Sequence, residues 1–478
     1  MNHLSLLIVI VFAAGTVQAQ PARSSVSQRD ALAGVNDGKA DASATIQQLI
    51  DGGDPNIRFP RGTYRLTKSV IIDLDKTGFV SLSGDGVARI VMDAPGPAFR
   101  LLGTHDASAD PGTFKDNVWN AQRAPMIDAL EIIGSHPEAC GVEAQGTMQL
   151  TLTRLVIRKV LHAIHLVEHN RNVLIANSHL YENRGIGVFL DNLDLHQINV
   201  NACHISYNDQ GGIVSRGGNV RNLHVSGCDI ESNMSPNTAA TANVLIDCTE
   251  SVHGTAEVAI TGCTIQHNSK SPHSANVRVI GNSAADDQGV SAQWGHVTMT
   301  GNVFSDVDVN VHLQHCRGVA ISGNTFWMGY GHNLLVENSR SIVLGANNFD
   351  RNPGYAYGTA LQTKDAIAFR NCEDCTITGL HMTGVHAQPA ALLIDQCRRF
   401  NISSCTILDS DGPAMLLRDV SNSLVTGCLI RDDRPAQQAA VSIHVEGGTA
   451  NTIINNAFAN ATAYKNENEH EHEKTSPE

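Results

Sequence analysis

Arg278 and His312 occupy the same point of two successive short β-type segments, Asn276-Val277-Arg278-Val279 and Asn310-Val311-His312-Leu313. Alternation at period two turns both away from the flanking apolar residues and onto one face. If the segments pair in parallel, the two side chains stand one strand spacing apart, about 4.8 Å. A guanidinium that neutralises a carboxylate, beside an imidazole that takes an acidified proton, suits β-elimination at a uronic acid. In that set His312 is the base, and Tyr330 or His332 from the next segment is the acid. Asn276 and Asn310 stand beside the pair as polar contacts for a substrate. Trp294 and Trp327, with Tyr330, fall on or near the adjoining turns and suit stacking on sugar rings.

A second chemistry draws on carboxylates. Asp191, Arg216, Asp247 and Glu337 recur at one edge of the same segments, and the column continues through Arg370, Asp395, Arg418 and Glu446. Inverting hydrolysis needs two carboxyl groups roughly 6.5–9.5 Å apart. Asp191 and Asp247 lie two repeats apart, about 9–10 Å by strand spacing. Glu337 is three repeats from Asp247, about 14–15 Å, too far to pair with it. Asp191, Arg216 and Glu337 are therefore read as substrate contacts, and Asp247 as the carboxylate a hydrolase would use. Asp229 and Glu231 could add a carboxylate from the side. Alternating acid and base down a sheet also arises from simple cross-strand pairing, which accounts well for Arg370 to Glu446.

The elements that position these residues come from an internal repeat. One phrase recurs: a short strand, Gly, Cys or Asn, a β-branched or aromatic residue, then often Asn. It appears as NSHLYEN, ACHISYN, GCDIESN, GCTIQHN, GNVFSDV, GNTFWMG, ANNFDRN, SCTILDS and GCLIRDD. A period of about 22–25 residues belongs to solenoids. Each repeat holds two or three short strands with too few residues between them for a crossover helix, which excludes a doubly wound α/β fold. The leucine pattern of leucine-rich repeats is absent, so the reading is an all-β, right-handed parallel β-helix. Stacked repeats then place Cys203, Cys228 and Cys263 in one interior column with Asn302, Asn324 and Asn347, returning as Cys405 and Cys428. Asn183, Asn208, Asn233 and Asn268 form a second column at a turn, where amides bond to one another. A third holds Cys248, Cys316, Cys372 and Cys397. A further column, Asn243, Asn276, Asn310 and Asn333, is read as outward.

Composition limits the partners. The net charge of −14 disfavours nucleic acid, whose phosphates need a basic surface. An acidic sugar would need a local group of Arg and His. Met1–Ala19 reads as a secretory signal peptide, with an apolar run from Leu4 to Val17 and a small-residue cleavage site. Residues 20–30 are a linker, 31–464 the β-helix domain, and 465–478 a polar, disordered acidic tail. No later segment is long and apolar enough to span a membrane. The expectation is a secreted or periplasmic monomer with no cofactor. The eleven cysteines suit free, buried, small apolar residues better than a disulfide framework. Cys372-Glu373-Asp374-Cys375 has zinc-like spacing but no second pair, so no metal ligand is assigned.

Residues 34–66 resemble the start of a pectate-lyase-3 type domain in the pectin-lyase-like superfamily. The resemblance rests on Gly34-Val35-Asn36-Asp37-Gly38-Lys39-Ala40-Asp41, on Thr45-Ile46-Gln47 in a predicted short helix, and on Phe59-Pro60-Arg61-Gly62-Thr63-Tyr64-Arg65-Leu66. With the repeats it covers roughly 30–460, and the helix reads as an N-terminal cap within about 31–66. It implies a β-helix acting on a polysaccharide. The Asp-Asp and Gly-His-Gly motifs of polygalacturonase-like hydrolases are absent, as is the Asp-His motif of calcium-dependent pectate lyases. Fold alone does not choose among the superfamily's activities. The residues favour a metal-independent polysaccharide lyase. The alternatives are an inverting glycoside hydrolase and a non-catalytic carbohydrate-binding or surface β-helix.

Overall fold

The computed structural model describes residues 27–466, apart from 108–110, 286–288, 290, 356–357, 387–388, 436–440 and 460–461. The expected signal peptide and most of the expected acidic tail therefore lie outside the described residues. Two helices, Gln28–Ala33 and Ser43–Asp51, stand at the start, and Ile46 and Ile50 of the second are buried in the core. From there the chain winds as a right-handed parallel β-helix, each coil contributing a strand to each of three faces. One coil shows the plan. Ile186–Asn201 supplies the first face and then the second, His204–Ser206 the third, and Gly211–Arg216 begins the next coil.

The apolar alternation read from the sequence is what stacks. On the first face Val188, Ile213, Val244, Val277, Val311 and Leu334 follow one another inward in register, all essentially fully buried. Phe304, Phe326 and Phe349 stack on the third face with ring centroids 4.8 and 4.6 Å apart. Glycine in the recurring phrase has a conformational cause. Gly227, Gly262, Gly301 and Gly323 turn the chain with φ of 58°, 63°, 67° and 71°, a region that favours residues without a Cβ.

Polar ladders fill the corners. The backbone N–H of Cys203 reaches the Cys228 thiol, that of Cys228 the Cys263 thiol, and that of Cys263 the Asn302 amide oxygen. Asn302, Asn324 and Asn347 then bond amide to amide at 3.0 and 2.9 Å. All eleven cysteines are free and buried.

The second ladder differs from the sequence reading. It runs Asn183, Asn208, Asn233 and then Asn243, Asn276, Asn310 and Asn333, with amide contacts of 2.6–2.9 Å. Asn268 is not a rung; its side chain accepts from the backbone N–H of Lys270. The insertion after Asn233 changes which asparagine reaches the corner, and Asn243, at the start of the next strand, takes the place. What reads as two columns, one of them outward, is a single interior ladder.

No helix among the described residues is long and apolar enough to cross a membrane.

Candidate functional site

The outer side of the first face carries the chemistry. In parallel register, Glu143, His165, Phe189, Val214, Leu245, Arg278, His312 and Leu335 form its central outward column. Asp191, Arg216, Asp247, Ile280, Gln314, Glu337 and Arg370 form its edge. Long turns flank these strands on both sides. Residues 232–241 and 351–365 enter the face, and 248–253 and 281–294 leave it. Leu245 and Leu335 point outward yet are buried, so the walls cover part of the face.

Arg278 is 7% exposed. Its Nη1 donates to the carbonyl of Thr241 at 3.1 Å and its Nη2 to that of His273, which ties it to the entering turns. Its Nε donates to His312 Nδ1 at 3.2 Å. It makes no ion pair among the described residues, whereas Arg154, Arg158, Arg398, Arg418 and Arg434 are each paired with carboxylates. Burial pulls its pKa down, opposed by the Asp308 carboxylate.

His312 accepts from Arg278 at Nδ1, so its proton sits on Nε2, which donates to Glu337 at 3.0 Å. Burial lowers its pKa, the Arg278 charge adds to this, and the Glu337 bond opposes it. Burial alone would raise the pKa of Glu337, but His312, Gln314 and Arg370 hold it below the usual range. Both ring nitrogens of His312 are thus occupied, which removes it from the role of free base given to it above.

His332 differs from His312 at its ring nitrogens. Burial, with the Arg370 charge, depresses its pKa to about 4, so the ring is neutral. Neither of its nitrogens has a hydrogen-bond partner among the described residues. Asp308 lies close enough to act electrostatically on Arg278, His312 and His332 alike. A Cβ on Gly331 would come within 2.8 Å of Asp308 Oδ1, so this glycine leaves room for the carboxylate. Asp308 stands four residues before His312, so period-two alternation places it on the same face, and that spacing was the available signal.

The remaining candidates fall as follows. The Tyr330 hydroxyl bonds Thr359 at 2.5 Å on the entering turn. Asn276 and Asn310 are fully buried rungs of the ladder, their amide groups already filled, and so are not substrate contacts. Trp294 packs against the core, and its ring fills the space over Gly254 that a Cβ would need, so it is not a sugar platform. Trp327 meets Tyr355 with ring centroids 5.4 Å apart, beside the entering turn. Asp247 Oδ1 caps its own turn, accepting from Thr249 N at 3.0 Å and Thr249 Oγ1 at 2.6 Å.

A second cluster sits lower on the same column. His165 Nε2 lies 3.0 Å from Asp191 and its Nδ1 3.5 Å from Glu143, which also pairs with Arg100. Burial works against charge on His165, but the hydrogen bonds to the two carboxylates outweigh it and raise its pKa. Phe189 stacks on His165 at 5.1 Å, and Arg216 lies 6.0 Å from the Phe189 ring. Glu143 and His165 are in register one coil apart in the central outward column, and that repeat spacing is the sequence signal for the pair. Between this cluster and Arg278 lies a hollow of about 350 Å³ lined by Ile186, Gln210, Arg216, Thr238 and Thr241.

A family model described as a right-handed β-helix region matches residues 131–251 and 365–466. Another, described as periplasmic copper-binding protein (NosD), matches 251–390. No curated protein matches the chain in sequence. Among solved structures the chain is similar to tailspike protein 3 of bacteriophage CBA120, at 14% identity and a TM-score of 0.53, over 89% of this chain and 60% of that one. It is also similar to a tailspike variant of E. coli bacteriophage HK620 in complex with a pentasaccharide, at 12% identity and a TM-score of 0.50, over 89% of this chain and 75% of that one. At these identities the likeness is one of fold.

Proposed function

We propose that the outer groove of the first face binds an acidic polysaccharide and cleaves it by β-elimination at a uronic acid. The observation that carries this reading is Arg278, a buried guanidinium with no carboxylate partner among the described residues. A desolvated cation whose nearby carboxylate, Asp308, makes no ion pair with it favours an anionic ligand group. In this reading Arg278 neutralises the uronate carboxylate, which acidifies the adjacent C–H. His332 takes that proton, and the Tyr330 hydroxyl, two residues away, protonates the leaving oxygen. His312 and Glu337 hold Arg278 in place, and Asp308 stabilises the imidazolium formed at His332. A protein of the same fold, the HK620 tailspike variant, holds a pentasaccharide, which supports an oligosaccharide ligand here. The apolar run at the start of the chain supports export to the periplasm or beyond.

Hydrolysis is the second reading, and one observation bears on it. Glu143 and Asp191 flank the two ring nitrogens of His165 at 3.5 and 3.0 Å, which keeps the two carboxylates within about 9 Å of each other, inside the range for inversion. A hydrolase also needs one carboxyl group kept protonated. Glu143 instead has a lowered pKa, from His165 and Arg100. The deciding experiment incubates the protein with uronate-containing and neutral polysaccharides, following ultraviolet absorbance of unsaturated products together with reducing ends. Unsaturated product from acidic substrates alone supports the lyase. Reducing ends without unsaturation refute it in favour of the hydrolase, and neither signal beside measurable binding leaves a carbohydrate-binding solenoid.

A further inference from the structure

A separate cluster lies on the third face, away from the groove. His204 and Ser206 point outward from one coil, with Ile205 between them in the core, and Asp229 and Glu231 point outward from the next, with Ile230 in the core. The register sets His204 beside Asp229 and Ser206 beside Glu231. His204 Nε2 is 3.9 Å from an Asp229 oxygen and 4.0 Å from a Glu231 oxygen. One donor atom from each of the three lies within 4.8 Å of the others. We propose that His204, Asp229 and Glu231 bind a first-row divalent transition-metal ion such as Zn²⁺.

Three observations support the assignment. Bonds of about 2.0–2.2 Å from one ion bring donors within roughly 4 Å of each other, so a small rotation of the exposed Asp229 side chain closes the set. The two carboxylates have no Lys or Arg ion-pair partner among the described residues; Glu231 has the Gln266 amide at 3.1 Å, and both have His204. The third is Ser206, whose hydroxyl is fully buried without a hydrogen-bond partner, on the same outer side and in register with Glu231. An orphaned hydroxyl beside uncompensated carboxylates fits an ion, or its bound water, at this point. His179, one coil earlier in the same column, meets His204 with ring centroids 5.7 Å apart and is placed to supply a second imidazole. Mixed imidazole and carboxylate donors select borderline divalent ions rather than Ca²⁺ or Mg²⁺.

The test is equilibrium dialysis of the full chain against Zn²⁺, with bound metal measured per chain for the parent, His204→Ala and Asp229→Asn. The expected result is one fewer Zn²⁺ per chain in each variant, with the melting temperature in EDTA unchanged. Any zinc held by His470 and His472 near the C-terminus persists in all three proteins. Equal zinc in parent and variants overturns the proposal. A second measurement needs no variant: Zn²⁺ should shift the His204 imidazole NMR signals of the parent, and unshifted signals at saturating zinc overturn it equally.

Discussion

Replacing Asn310 by Ala separates the ladder from a substrate role. Asn310 Nδ2 donates to Asn333 Oδ1 at 2.7 Å and to the Trp327 carbonyl at 3.0 Å, and its Oδ1 accepts from Asn276 at 2.7 Å. The side chain is fully buried, so Ala removes three bonds and admits no bulk water to replace them. At about 1 kcal/mol net for each bond, and more where a partner is left unsatisfied, the loss should be about 3–5 kcal/mol. A surface asparagine contacting a ligand would change stability by under about 0.5 kcal/mol. Asn310→Asp should cost at least as much, because a carboxylate oxygen would face two acceptors where the amide donated. The assay is urea unfolding followed by circular dichroism, with polysaccharide binding measured in native buffer. A stability change below about 0.5 kcal/mol together with lost binding would refute the ladder assignment and restore Asn310 as a ligand contact.

Further outcomes follow from the same geometry. His332→Ala should lower kcat by about 10²–10⁴ with little change in melting temperature, while Asp247→Asn stays near the parent rate; the reverse pattern in steady-state assays would refute the elimination scheme. Arg278→Gln should weaken binding of uronate oligomers far more than of neutral ones, read by calorimetry on matched oligosaccharides. His162 and His332 both have pKa values depressed to about 4, mainly by burial. As pH falls from about 6.5 towards 4 the unfolded chain binds protons that these rings refuse, so stability should drop, by up to about 3 kcal/mol for each ring. His165 runs the other way: its raised pKa contributes stability below about 6.5 that is lost as pH rises through the folded value, so His165→Ala should flatten the alkaline limb of a stability–pH curve. Thiol titration of denatured, unreduced protein should find most of the eleven cysteines reactive, and near-zero reactivity would contradict the free-cysteine ladders.

The sequence by itself determined the stacking. A repeat of constant phase obliges equivalent residues to lie above one another. The column from Asp191 to Glu446, the step from Arg278 to His312 and the Cys203–Cys228–Cys263 file were therefore legible in the sequence alone. Period-two alternation also settled which strand residues face inward, because each flips by half a turn from the last. Only the tertiary structure decided what happens where that alternation breaks. Asn243, Asn276 and Asn310 lie within the first-face strands, yet they and the valine after each are all buried, and their amides turn inward to the next coil rather than outward to a ligand. The register shift opposite Val307–Val309 pairs Val309 with His332, and so sets His332 against the strand that carries Asp308. Hydrogen-bond partnership is equally invisible in a single strand. His312 reads as a free base until Arg278 and Glu337 occupy its two nitrogens, and Trp294 reads as a sugar platform until Gly254 receives its ring. A periodic sequence constrains position along the stack, but orientation where the alternation breaks and the identity of a partner depend on chain segments that meet only after folding.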